Sequence, residues 1–175
     1  MITQVQENRI EVETTLEKSP AHLVFSDALQ ELYWSKNKLM RTLLKLENAA
    51  LNGSLKRTVH DYFEATRIQA YGIEHIFELL DENPEGRVCL MTEASCDNAL
   101  AMLRVNDKTQ GTDKRIRSCV AEFFAHEITS LEYLLRLATT MQRLDIARII
   151  NSMKRRTHEA FEFAFPAAQS QTVLA

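Results

Sequence analysis

The chain has 175 residues, of which 45% are hydrophobic and 26% charged, as in an ordinary soluble globular domain. Its formal net charge of -3, with both signs interspersed, gives no electrostatic basis for binding nucleic acid or an anionic membrane. No apolar run is long enough to cross a bilayer, and the polar N-terminus lacks the apolar core of a secretion signal. The three cysteines show no C-x-x-C spacing and favour reduced thiols, so we predict a cytoplasmic protein.

The chain is punctuated by only four glycines and three prolines, and the stretches between them are rich in Leu, Glu, Lys, Arg and Ala. Such stretches predict helices, and no segment alternates apolar and polar residues as a half-buried strand would. We therefore predict an all-α domain over residues 19–166. A flexible N-terminal tail is expected at 1–18 and a frayed C-terminus at 167–175.

Local signals set the expected ends of the helices. Ser19 and Pro20 are expected at the N-cap and first position of the first long helix, and Gly53 at its C-terminal cap. Thr112 is expected to cap the third long helix after the polar connection NDKTQGTD. The predicted helices, in chain order, are 20–50, 54–81, 87–104, 113–141 and 144–165.

The lengths of the connections indicate how the helices are arranged. Short links join the first long helix to the second and the third to the fourth, which predicts two antiparallel hairpins. The longer middle connection, with its own short helix, can carry the chain along the bundle. This is the connectivity of a ferritin-like four-helix bundle with one crossover, and the short extra helix lies in that crossover, between long helices two and three.

A di-metal centre in such a bundle needs inward carboxylates and histidines near the middle of each long helix, because their oxygens and imidazoles offset the charge of two iron or manganese ions. The apolar row of the first helix, in ALQELYWSKNKLM, instead passes through Lys36. Glu127, in FFAHEITSLEYLLRLA of the third long helix, is the one convincing inward carboxylate. The sequence therefore offers few ligands for a metal.

The chain resembles the YciE/YciF-type ferritin-like proteins of bacteria, which are linked to stress responses. The resemblance covers about residues 22–165 and rests on FSDALQELYWSKNKLMRTLLKLENAA, on FEATRIQAYGIEHIFELL, on Cys89 after the loop and on HEITSLEYLLRLA. It implies a bundle similar to the di-metal proteins, a role in stress, and association as a homodimer or with a related partner. The activity of the family itself is poorly defined.

The family patterns also imply metal ligands at positions where this chain has other residues. The glutamate of the first-helix pattern Leu-Tyr-x-Ala-Glu-Lys-Gln-Leu falls on a lysine, which reverses its charge. The patterns His-Leu-Glu-Glu-Thr and Glu-His-Tyr-Glu-Ile each lose ligands, and the glutamate-rich patch of the fourth helix becomes Arg-Arg-Thr. Glu127 is kept. The substituted positions are Lys36, Tyr62, Ala65, Phe124, Arg155 and Arg156.

We therefore hypothesise that Lys36 occupies the place of a lost metal site and neutralises Glu127, with Arg155 or Arg156 assisting. A buried unpaired carboxylate is costly and needs a metal or a cationic partner. The alternative is that the lysine packs only its stem and extends its ammonium to the solvent. On the first hypothesis no cofactor is expected.

Three functional interpretations remain open at this point. The first is a non-catalytic protein that acts through protein–protein contacts, as a homodimer or with a related partner; exposed aromatic residues such as Trp34 and Tyr71 would contribute to the interface. The second is a redox or peroxide-handling protein with an iron or manganese site rearranged around Glu127, His126 and Glu64. The third is a module that binds a small molecule in the centre of the bundle.

Overall fold

The computed structural model describes residues 19–104 and 110–165, which form five helices and no strand. The tail predicted at 1–18, the frayed end predicted at 167–175 and part of the connection before the third long helix lie outside the described residues. The helices are α1 (Pro20–Ala49), α2 (Gly53–Leu79), α3 (Leu90–Arg104), α4 (Gln110–Thr140) and α5 (Leu144–Ala164). The four long helices and the short one therefore follow the predicted order.

Two of the four predicted helix signals act as expected. Ser19 is the N-cap of α1 and its side chain accepts a hydrogen bond from the backbone N–H of His22, with proline at the start of the helix. Gly53 does not cap the end of α1, because Asn52 takes the N-cap of α2 and accepts hydrogen bonds from two backbone N–H groups of its first turn. Thr112 lies inside α4, which begins two residues earlier.

The bundle is a ring of four helices in which α1 packs against α2 and α4, and α5 packs against α4 and α2. The start of α1 and the end of α4 share one apolar cluster, as do the end of α2 and the start of α5, so neighbouring helices run antiparallel. The seam between α2 and α5 is the most open of the four. The short helix α3 covers α1 and α4 from outside.

The crossover between α2 and α3 lies against α1. The backbone N–H of Arg87 donates to the carbonyl of Gln30 over 3.2 Å. A Cβ on Gly86 would lie only 3.2 Å from the Cβ of Trp34, so the chain passes close over this half-buried indole, the single tryptophan of the protein. Trp34 is thus covered in part by the crossover, whereas Tyr71 is 59% exposed.

The core consists of two apolar clusters, one toward each end of the bundle. One contains Phe25, Phe77, Leu134 and Ile146, and the other contains Leu46, Leu55, Ile116 and Phe124, among others. Five buried polar side chains of α1, α2, α4 and α5 lie between them. These are Lys36, Thr66, Gln69, Glu127 and Thr157, which we call the polar layer.

Candidate functional site

The polar layer is built on an ion pair between α1 and α4, two neighbouring helices that belong to different hairpins. The Nζ atom of Lys36 lies 2.8 Å from Oε1 of Glu127. Lys36 is 1% exposed and Glu127 5% exposed, so the two charges are removed from water together. The ammonium does not extend to the solvent. The predicted contact between Lys36 and Glu127 is present.

Hydrogen bonds from α2 and α5 complete the surroundings of the carboxylate. The hydroxyl of Tyr62 donates to Oε2 of Glu127 over 3.0 Å, and the hydroxyl of Thr157 donates to Oε1 over 2.6 Å. Each of the four long helices thus contributes a side chain to one network. Because both carboxylate oxygens are engaged, the ion pair has the additional hydrogen bonds that a buried charge requires.

Gln69 links Lys36 to Thr157. Its Oε1 accepts a hydrogen bond from Nζ of Lys36, and its Nε2 donates to the hydroxyl oxygen of Thr157 over 2.8 Å. The hydroxyl of Thr66 instead donates to the backbone carbonyl of Tyr62 over 2.8 Å. Among the described residues, no buried side-chain nitrogen or oxygen lacks a hydrogen-bond partner. Each buried polar atom of the network therefore has a partner within the protein, and the network is closed on itself.

The surroundings set the protonation of the network. Burial lowers the pKa of Lys36, while the neighbouring carboxylate opposes that shift. Burial would raise the pKa of Glu127, but the Lys36 charge and the hydrogen bonds from Lys36, Thr157 and Tyr62 bring it below its ordinary value of 4.5. Burial and the Glu127 charge raise the pKa of Tyr62 well above 10.0. At neutral pH the carboxylate is therefore ionised and the phenol protonated.

The polar layer does not have the composition of a di-metal centre. Two divalent ions require several anionic oxygens or imidazoles around them, and this layer supplies one carboxylate that is already paired with an ammonium. An ammonium at hydrogen-bonding distance from the carboxylate would also repel a cation. In the part of the chain that the structure describes, no group of three His, Cys, Asp or Glu side chains is placed to hold a metal ion.

Not all predicted site residues belong to the layer. Phe124 stacks on Tyr62 with ring centroids 3.9 Å apart and so borders it. Ala65 is half-buried and lines a groove between α2 and α5. The suggestion that Arg155 or Arg156 helps to neutralise Glu127 is wrong. Both side chains are exposed, and Arg155 instead lies 3.7 Å from Glu159.

The three residues proposed for a rearranged metal site have separate partners. Glu64 accepts hydrogen bonds from the guanidinium of Arg67 at the surface. His126, with a side chain that is 33% exposed, lies 3.9 Å from Glu122. Glu127 is held in the buried ion pair. Each of the three side chains therefore interacts with a different neighbour.

The predicted site residues omitted Gln69 and Thr157, although both carry a signal. Gln69 continues the buried row of α2 through Thr66 and Ile73. Thr157 continues the buried row of α5 through Ile150 and Met153, one position beyond Arg156. A polar residue at an apolar position of a helical row marked Lys36, and the same criterion identifies these two.

The space beside the ion pair is too small for a ligand. A cavity of about 30 Å³ touches Lys36 and Glu127 between α1, α3 and α4, and that volume accommodates a water molecule. Two of the three cysteines, Cys96 and Cys119, are buried. Burial raises the pKa of Cys119 to about 11, and burial likewise raises the pKa of Cys96. These two groups are therefore thiols, not thiolates, at neutral pH.

Comparisons with known proteins agree on the fold. The E. coli stress protein YciF has a TM-score of 0.80 at 20% identity, covering 90% of this chain and 99% of that one. YcfI from Rhodopseudomonas palustris has a TM-score of 0.79 at 18% identity, covering 86% and 96%. A protein from Xanthomonas campestris has a TM-score of 0.67 at 16% identity, covering 87% and 94%. These likenesses confirm the predicted ferritin-like bundle.

No described helix is long and apolar enough to cross a membrane. A search among curated proteins finds no match to this chain. The model of the family described as "Domain of unknown function (DUF892)" matches residues 21–163. Since that match spans most of the sequence, and the fold is that of YciF, the protein belongs to the DUF892 family of YciF-like proteins.

Proposed function

We propose that this protein is a non-catalytic member of its family that acts through contacts with other protein chains, in place of metal chemistry. The closed network around Lys36 and Glu127 is the observation that carries the proposal. Where the resemblance implies metal ligands, the chain supplies its own cation. The ammonium balances the one remaining carboxylate, and the protein needs no metal ion for that purpose.

Exposed apolar side chains at the start of α3 support a role in contacts between protein chains. Val88, Leu90 and Met91 lie around the start of α3 and are 47%, 75% and 61% exposed. Adjacent exposed apolar side chains of this kind mark contact sites in proteins. We propose that this group, the α3 patch, associates with a second copy of the chain or with a related chain.

The biological setting of the proposal comes from the relatives. The structure from E. coli is described as that of a stress protein, and we propose that this chain likewise acts in a stress response. The three cysteines are unpaired in the structure, which fits the reducing cytoplasm that we propose as its location.

The first experiment measures bound metal. The untagged protein is purified from cells grown with added iron and manganese, and metal per chain is determined by mass spectrometry. The proposal predicts a value near zero for the wild type. A stoichiometric amount of iron or manganese that Glu127→Gln removes would overturn it. The protein would then be assayed with peroxide and oxygen as a metal-dependent redox protein.

A further inference from the structure

A groove runs along the open seam between α2 and α5, outside the polar layer. Its volume is about 480 Å³, within the range of pockets that hold small molecules. Its apolar lining comes mainly from Ala65, Ile68, Ile149 and Met153. Gln69, which bonds Lys36 and Thr157 in the polar layer, also lines the groove.

Gly72 lets a side chain of α5 pack closely against α2 within the groove. A Cβ at this position would lie 2.5 Å from Cε of Met153, so any larger residue would force the methionine side chain to move. The glycine is inside α2, where its helix propensity is lower than that of alanine. The absence of a Cβ therefore leaves room for the methyl group of Met153 against α2 in this part of the groove.

Hydrogen-bond donors of α5 line one wall of the groove. Arg148, Ser152 and Arg156 all line the groove and follow each other at intervals of four residues, which places them in one row. The two arginines are about 12 Å apart along the helix axis. Within residues 19–104 and 110–165, neither guanidinium has an ion pair, whereas the neighbouring Arg155 lies beside Glu159.

We propose that this groove binds an unbranched aliphatic carboxylate. The chain of the ligand lies against Ile68, Gly72 and Met153, and its carboxylate pairs with the guanidinium of Arg148 or Arg156. Unpaired cations beside an apolar recess are complementary to a molecule that combines an anionic head with an apolar chain. The volume favours a small molecule over the helix of another protein.

The test uses decanoate as the probe, titrated calorimetrically into the full chain at submillimolar concentrations. We expect saturable binding of one molecule per chain. Butyrate, which lacks the apolar chain, and decyltrimethylammonium, which reverses the charge, are expected to bind at least about tenfold more weakly.

Variants at exposed positions separate the groove from general surface charge. The double substitution Arg148→Gln/Arg156→Gln is expected to weaken decanoate binding at least about tenfold, and Ile68→Asp to weaken it similarly by repelling the carboxylate. Arg155→Gln removes one arginine charge from the same helix outside the groove and serves as the control, with an expected change below about twofold.

Two kinds of result would overturn the proposal. The first is the absence of saturable decanoate binding, or an equal loss in Arg155→Gln and the double variant. The second is self-association that the double variant abolishes without any decanoate binding, because the groove would then be covered by another copy of the chain. Neither result depends on metal content, so the groove and the proposed function fail separately.

Discussion

Lys36 and Glu127 can both be buried because each neutralises the charge of the other. Both are almost completely buried, and each would be a costly charge in isolation. The lysine was noticeable in the sequence because it interrupts an apolar row, and the kept glutamate identified its partner. The arginines were misplaced for a geometric reason. Neighbouring helix positions point about 100° apart, and it is Thr157, not Arg155 or Arg156, that faces inward.

Removing one partner of the ion pair should cost far more than removing both. Lys36→Met leaves Glu127 buried without a cation, and we expect the free energy of unfolding in urea to fall by about 3–5 kcal/mol. In Lys36→Met/Glu127→Gln both positions are neutral, and we expect at least half of that loss to be recovered. A double variant that is no more stable than Lys36→Met would contradict this account of the layer.

The ion pair should also make stability depend on pH on the acid side. Folding lowers the pKa of Glu127, so its contribution is complete above the ordinary value of about 4.5 and is lost as the pH falls through the lower folded value. We expect the free energy of unfolding of the wild type to drop below about pH 4.5. Lys36→Met/Glu127→Gln should show a smaller drop over the same range, and equal drops would refute the assignment.

The sequence correctly predicted that five helices exist and in which order they follow, but it predicted the terminal residues of some helices poorly. The long periodic stretches between breakers are helices because their apolar rows face the core. Glycine proved a poor guide to the ends, because no described glycine has a positive φ. Asp81 and Gln142 adopt the left-handed conformation instead, with φ of 54° and 58°. Propensity alone gives no reason to expect a glutamine there.

The turn between α4 and α5 tests whether the left-handed conformation of Gln142 costs stability. After Gln142, the backbone N–H of Arg143 donates to the carbonyl of Ala138, and that of Gln142 donates to Thr139, which is the Schellman arrangement. Glycine adopts this conformation without strain, so Gln142→Gly should raise the free energy of unfolding by about 1 kcal/mol. Gln142→Ala is the control and should leave thermal stability nearly unchanged. A destabilised Gln142→Gly would contradict the prediction.

For the whole molecule, connection lengths were enough to predict two hairpins and one crossover, and the structure has both. The groove between α2 and α5 could not be predicted, because it depends on how far apart two helices pack. The α3 patch was also missed. Trp34, which was expected to be open to a partner, lies partly beneath the crossover.

The proposed contact through the α3 patch can be tested by sedimentation equilibrium. Leu90→Ser/Met91→Ser removes the two most exposed side chains of the patch, and we expect self-association to weaken at least about tenfold. Leu144→Ser changes another exposed leucine, 61% exposed at the start of α5, and should have little effect. Equal behaviour of the two variants would place the interface elsewhere.

Because the crossover packs over the indole of Trp34, the fluorescence of this tryptophan reports on the position of the crossover. Because Trp34 is the only tryptophan and Gly86 passes directly over it, its emission spectrum follows the release of one loop. Gly86→Val should push the loop away and shift the emission of the native protein to longer wavelength, while helical circular dichroism stays the same. In the wild type, a red shift at lower urea than the loss of helix would show that the crossover opens before the bundle unfolds.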